Sequence, residues 1–162
     1  MEKESKVDLG HWTLYKGVEI PEDFVDNPPL GFVYLITRKE DGKFYIGQKK
    51  ILKVEKRPPL KGKVRKRKII KQSDWRTYCG SSADLKADIA ELGKDAFTFE
   101  IVEFCETKWM MSYEELRLQM LNNVLLTNRS YNGIVNVRLS KFQSQIDLYG
   151  NARKIIKPFQ SQ

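Results

Sequence analysis

The twenty residues GFVYLITRKEDGKFYIGQKK (31–50) constrain the fold more than any other part of the chain. "FVYLIT" is rich in β-branched and aromatic residues, Asp41-Gly42 is a tight-turn signal, and "FYIGQ" returns as a second apolar run. The pattern predicts a β-hairpin. It sets Tyr34 and Tyr45 near matching places on the two strands, then runs straight into Lys49 and Lys50. Two strand tyrosines are most often a packing pair across the sheet. Next to a cationic segment they are also candidates for chemistry.

Prolines in "PEDF" and "NPPLG" stop regular structure before Gly31, so residues 1–30 read as an arm. Residues 49–74 are basic and broken by Pro58, Pro59 and Gly62, and they read as a flexible excursion inserted after the hairpin. Ser81 and Asp84 have capping-box spacing at the start of a helix whose buried stripe would be Leu85, Ile89 and Leu92, ending at Gly93. Phe97, Phe99 and Ile101 share one face of a third strand over 97–104. Residues 112–126 read as a second helix, with Leu116, Met120 and Val124 toward the core, and residues 139–162 as a basic tail, either a last helix or an extended arm. The order β-β-α-β-α gives an α+β domain over 31–138, a three-stranded antiparallel sheet flanked by helices. A chain of 162 residues suits one such domain.

Several function classes drop out. Cys79 and Cys105 are far apart with no metal-binding spacing, and read as buried, reduced thiols. His11 is the single histidine, which argues against a zinc site or histidine-based catalysis. No apolar run approaches the ~20 residues of a membrane span, and the polar N-terminus is unlike a signal peptide, so the expected location is the cytoplasm.

Charge points the other way. Of 29 Lys and Arg residues, 12 lie between residues 49 and 71, opposed there only by Glu55. Such a block repels itself unless solvated or matched by anions, and a phosphate backbone is the usual match. Candidate contacts are Lys49, Lys50, Lys61, Lys63, Arg65, Lys66, Arg67, Lys68, Lys71 and Arg76. Trp75 and Tyr78 flank the exit of the block; packing is the stronger reading for Trp75, and base stacking the weaker.

Cutting a phosphodiester without histidine needs another base, and cationic groups for the charge that develops. A tyrosine can serve only if cations or a metal lower its pKa, or if it works on a metal-bound water. At this point a resemblance enters. "GFVY" followed by "FYIG" resembles the signature of the GIY-YIG nuclease family, with Val33-Tyr34 in the first motif and Tyr45-Ile46-Gly47 in the second. "YCGSS", "LGKDAFTFEIVE", a glutamate-bearing helix and Tyr131-Asn132 keep the family's order. "DWRTYCGSS", "SYEELRLQM" and "SYNGIVNVRL" are similar to the Seg-type phage homing endonucleases, and the resemblance covers residues 28–138.

The resemblance implies a DNA endonuclease using one Mg²⁺ or Mn²⁺, in a phage homing or genome-interference setting, acting as a monomer or a transient dimer on DNA. It makes Tyr34 a general base or water-orienting phenol, and Tyr45 its neighbour at nucleophile and phosphate. Gly47 lets the backbone turn where a side chain would crowd the DNA. Glu115 becomes the metal-binding carboxylate, chosen over Glu114 because Leu116 and Gln119 align best, and Asn132 a scaffold through its amide. Two departures stand out. The family's phosphate-contacting arginine has no clear counterpart; Arg57 is nearest by spacing, with Lys49, Lys50, Arg65 and Arg76 as alternatives. A histidine common in the family is replaced by Tyr78, a phenol that can also hydrogen-bond a water. Ser81 and Ser82 would serve the helix cap first, with phosphate contact as a second role. Target specificity would come from the basic loop, residues 1–30, the tail or dimerisation. The alternative is a catalytically weak or inactive DNA-binding module on the same scaffold.

Overall fold

In the computed structural model, which describes residues 7–141, strand β2 (Gly31–Arg38) is buried on both sides. Phe32, Tyr34 and Ile36 enter one core, while Val33 and Leu35 enter the other. A strand between two layers has no solvent face, which is why it reads as a continuous apolar run. β3 (Phe44–Lys50) pairs with it antiparallel through the Asp41-Gly42 turn, where Gly42 takes φ +74°. β6 (Phe97–Cys105) pairs antiparallel on its other side.

The sheet has a fourth strand. β1 (Thr13–Leu14) lies parallel to Glu100 and Ile101 of β6, so the order is β1-β6-β2-β3 and the sheet is mixed. This corrects the three-stranded antiparallel expectation. Two residues are too few to show alternation, and the arm is anchored by packing rather than pattern. Trp12 and Phe24 are buried, Trp12 Nε1 donates to the Trp75 carbonyl at 2.6 Å, and Thr13 Oγ1 donates to the Phe99 carbonyl at 3.0 Å.

Helix α1 (Ala83–Leu92) helps close the first face through Leu85, which is fully buried; Ile89 is half-buried, and Leu92 turns to solvent at 45% exposure. Its cap is Ser82, whose Oγ accepts from Leu85 N, rather than Ser81. Gly93 ends it at φ +83°.

Helix α2 (Lys108–Leu121) covers the second face with Met110, Met111 and Leu118. Burying a side chain of this size stabilises by about 1.5–3 kcal/mol. The helix begins and ends earlier than the expected 112–126, because Thr107 caps it by accepting from Met110 N. Met120 is 48% exposed, Leu116 is half-buried, and Val124 is buried beyond the helix end. The buried stripe differs from the expected one because polar Glu114 and Gln119 occupy inward positions. Arg117 pairs with Glu114 at 2.8 Å, and Gln119 Nε2 donates to the Ile46 carbonyl at 3.2 Å.

The basic excursion is structured. β4 (Leu52–Arg57) and β5 (Arg67–Gln72) pair antiparallel in a separate two-stranded ribbon, with Pro58, Pro59 and Gly62 in its turn. This corrects the flexible-loop expectation: charged residues mask the alternation around Leu52, Val54 and Ile70. Cys105 is buried and Cys79 half-buried, both as free thiols. Most of the expected tail, beyond residue 141, and the first six residues of the arm lie outside the described residues. No helix among the described residues is long and apolar enough to cross a membrane.

Candidate active site

β3 is the outer strand of the sheet, so its free edge needs hydrogen-bond partners. The chain returning after α2 supplies them. Phe44 N donates to Arg129 O at 2.8 Å, and Tyr131 N donates to Phe44 O at 2.8 Å. Two residues on, a side chain replaces the backbone: Asn132 Oδ1 accepts from Ile46 N at 3.0 Å and Nδ2 donates to Ile46 O at 2.8 Å. Ser130 Oγ donates to the same Oδ1 at 3.1 Å and accepts from Asn132 N at 3.0 Å. Both polar groups of Ile46, the residue between Tyr45 and Gly47, are thereby fixed.

Strand alternation sorts the next side chains. Tyr45, Gly47 and Lys49 face the first core, and Gln48 faces α2. Tyr34, opposite Gly47, is 1% exposed, and beside it the β2–β6 pairing steps from Glu103 at Val33 to Ile101 at Tyr34. Irregularities of this kind re-aim side chains. The Tyr34 phenol extends across β3 over Gly47: a Cβ there would sit 2.6 Å from Cζ and closer still to the hydroxyl. Gly47 lies within a regular strand without positive φ, so its role is to admit the Tyr34 ring rather than to turn the backbone.

Tyr45 and Tyr78 both stand with ring centroids 6.1 Å from Tyr34, Tyr78 edge-on at 79°. The Tyr45 hydroxyl shares a 2.8 Å hydrogen bond with Ser81 Oγ. Lys49 Nζ lies 3.9 Å from the Tyr78 ring centroid and 2.7 Å from Asp74 Oδ1. From the α2 side, Gln48 Nε2 donates to Glu115 Oε2 at 2.6 Å. Glu115, Tyr45, Ser81, Gln119 and Asn132 line one open cleft of about 470 Å³.

The electrostatics of this edge favour neutral groups. Burial, reinforced by Tyr45, Tyr78 and Glu115, holds the Tyr34 phenol well above the usual tyrosine value. Burial also raises Tyr45, against the lowering effect of Ser81, and raises the Glu115 carboxyl, against that of Gln48. An added cation would oppose each of these shifts by favouring the ionised form. No cluster of three or more His, Cys, Asp or Glu occurs among the described residues; two carboxylates, Glu115 and Asp84, line the cleft. Magnesium is commonly held by one or two carboxylates together with substrate phosphate and water. The donor set here, the Glu115 carboxylate beside the Tyr45 phenol with Asp84 on the same cleft, fits Mg²⁺ or Mn²⁺ arriving with a phosphate.

The structure thus brings together Tyr34, Tyr45, Gly47, Lys49, Tyr78, Glu115 and Asn132. The neighbouring Glu114 is fully buried away from the cleft and paired with Arg117. Arg57 is not brought to the tyrosines. It lies five residues along β4 from Leu52, about 17 Å of extended strand, and pairs with Glu55 at 3.5 Å. Arg76 lies over the Trp75 ring and bonds Asp8 O and Gln72, holding the arm. Trp75 is fully buried and unavailable for base stacking. Lys50 is exposed at the end of β3. Lys61, Lys63, Arg65 and Lys66 are exposed at the ribbon turn, Arg67, Lys68 and Lys71 lie on β5, and Lys71 pairs with Glu55.

Sequence reasoning missed Gln48, Ser81 as a partner of Tyr45, and Asp74. Gln48 had a signal: directly after Tyr45-Ile46-Gly47, it must face away from Tyr45 and toward the helix carrying Glu115. Ser81 was absorbed into the helix cap, and Asp74 had no signal, since its contact with Lys49 depends on how the ribbon folds back.

No curated protein and no solved structure matches the chain. The family described as "Putative endonuclease segE, GIY-YIG domain" matches residues 12–135, a span that takes in the sheet, the ribbon, both helices and Asn132. The chain belongs to the GIY-YIG nuclease family and is related to the Seg-type phage endonucleases.

Proposed function

We propose that this protein is a divalent-metal-dependent endonuclease that hydrolyses phosphodiester bonds of double-stranded DNA, in a phage homing or genome-interference setting. The observation that carries the reading is the convergence of Tyr34, Tyr45 and Glu115 on one strand edge, with Lys49 beside them.

In this reading a phosphate enters the cleft against Tyr45 and Ser81, whose shared proton can turn to a nonbridging oxygen. Tyr34, kept neutral by burial, orients the attacking water by accepting a hydrogen bond through its hydroxyl, and the proton released on attack leaves to solvent through the open cleft. Tyr78 packs edge-on against Tyr34 and keeps that hydroxyl aimed over Gly47. Lys49 takes the part that sequence spacing suggests for Arg57. Its partner Asp74 is exposed, so a phosphate can compete for the ammonium group and receive charge stabilisation from it. Glu115 would hold the metal, with Gln48 fixing the carboxylate. Bound there, a divalent ion would neutralise charge on the phosphate and leaving oxygen. Asn132 positions rather than reacts, since its amide is spent on Ile46.

One observation favours the second reading, a DNA-binding module with little or no activity: neither Arg57, paired with Glu55, nor Arg76, bonded to Asp8 O, is brought to Tyr34 and Tyr45. Incubating a natural genomic DNA with the protein and Mg²⁺ or Mn²⁺, then sequencing the ends, separates the two. Metal-dependent ends above a protein-free control support the nuclease. Salt-sensitive binding without such ends leaves the module.

A further inference from the structure

The β4–β5 ribbon has two unlike faces. One register face carries Lys53, Glu55 and Arg57 opposite Lys71, Ile69 and Arg67. There Glu55 engages both Arg57 and Lys71. The other face carries Val54 opposite Ile70, followed toward the turn by Lys56 opposite Lys68, and has no carboxylate. Val54 is 60% exposed and Ile70 67%. On this face the exposed pair lies between Leu52 opposite Gln72 on the base side and the Lys56–Lys68 pair on the turn side.

The ribbon is firmly rooted. Ile51, fully buried, donates through N to Leu30 O at 2.8 Å and accepts from Ser73 N at 2.7 Å; Ser73 Oγ donates to Lys50 O. Its base is therefore the Lys49–Asp74 pair beside Tyr78. Whatever the ribbon grips is brought to the tyrosine edge.

Size and charge select the occupant. Two strands lie about 4.7–4.9 Å apart, and the major groove of DNA, about 12 Å wide, admits a two-stranded ribbon. Six residues of strand reach about 20 Å, or some six base pairs at about 3.4 Å each. Between residues 53 and 71, ten Lys and Arg face a single acidic residue. An acidic protein surface would meet the charge, but thymine methyl groups on a groove floor between two rows of phosphates also match the apolar pair.

Building on the nuclease reading, we propose that the ribbon enters the major groove with its Val54–Ile70 face on base edges. Lys56, Lys68 and the turn cations Lys61, Lys63, Arg65 and Lys66 hold the flanking phosphates, and the ribbon thereby biases where the cleft cuts.

The test uses the full chain and linear plasmid DNA. Binding is first measured in EDTA with methyl green as major-groove competitor or netropsin as minor-groove competitor. Methyl green should displace the protein at concentrations where netropsin does not. Lys56→Ala with Lys68→Ala should lower the slope of log affinity against log salt by about two, one for each phosphate that no longer meets a lysine. With metal, Val54→Ser with Ile70→Ser should redistribute the cleavage ends relative to wild type. Displacement by netropsin alone, or an unchanged salt slope together with an unchanged end map, would overturn the ribbon proposal. A protein that binds with methyl-green sensitivity yet never cuts keeps the ribbon and loses the nuclease. One that cuts but ignores methyl green does the reverse. A chain that neither binds nor cuts loses both.

Discussion

Tyr34 and Gly47 face each other across the β2–β3 pair, and Cζ of the Tyr34 ring stands 2.6 Å from where a side chain at residue 47 would begin. The phenol can lie over β3 at residue 47 only because that residue has no Cβ. Gly47→Ala therefore forces a ring in a buried cluster to move, at a cost of about 1–3 kcal/mol. We expect a lower urea midpoint and a loss of nicking. Tyr34→Phe keeps the packing and removes only the hydroxyl, so its midpoint should stay near wild type while nicking falls by about a hundredfold or more. Equal nicking by wild type and Tyr34→Phe would remove Tyr34 from the chemistry.

The amide of Asn132 completes the backbone of Ile46. Asn132→Ala strands a buried N–H and removes one donor from the carbonyl, costing about 1–3 kcal/mol. Urea unfolding measures this. Because Ile46 sets the spacing of Tyr45 and Gly47, kcat for cleavage should fall more than DNA affinity. A loss confined to affinity would place Asn132 in binding instead.

Lys49 and Arg57 separate the two cationic roles. Lys49→Met should lower the cleavage rate about a hundredfold at saturating DNA. Arg57→Ala, out on the ribbon, should leave that rate within about twofold and weaken binding alone. Single-turnover rates at saturating protein distinguish them, and the opposite ranking would return the catalytic cation to Arg57.

His11 gives the arm a pH dependence. Its ring stacks on Phe99 at 4.2 Å, Nε2 donates to Tyr78 O at 3.0 Å, and Nδ1 faces Lys94 Nζ at 3.5 Å. Burial first, then Lys94, lowers its pKa below the usual 6.5, while the bond to Tyr78 O opposes them. The folded state therefore favours neutral His11. Its contribution is intact above pH 6.5 and is lost as pH falls through the lower folded value. Urea midpoints should drop between about pH 7.5 and 5.5, and His11→Gln should flatten part of that drop. An identical pH dependence in the variant would remove His11 as its source.

Much of this was legible in the chain. Asp41-Gly42 between two apolar runs marked the hairpin, and the motifs at 33–34, 45–47 and 131–132 named residues that meet in space. What stayed hidden was set by tertiary context. Thr13 and Leu14 become a strand because Trp12 is anchored on Trp75, which no two-residue pattern can announce. Glu114 and Gln119 face inward because Arg117 and Ile46 satisfy them, so the stripe of α2 could not be found by hydrophobicity. The ribbon hid behind its own charge, and Arg57, nearest by sequence spacing, was carried away by it.

A metal-dependent phosphodiesterase site built from Glu115 and the tyrosine edge is tested most directly by single-turnover nicking of supercoiled plasmid. Wild type and Glu115→Ala are compared with and without Mg²⁺ or Mn²⁺, at matched DNA occupancy. Wild type should nick only with metal, and the variant should be slower by at least about a hundredfold. Equal rates for the two proteins, or no metal-dependent nicking by wild type, would remove Glu115 and the metal from the reaction.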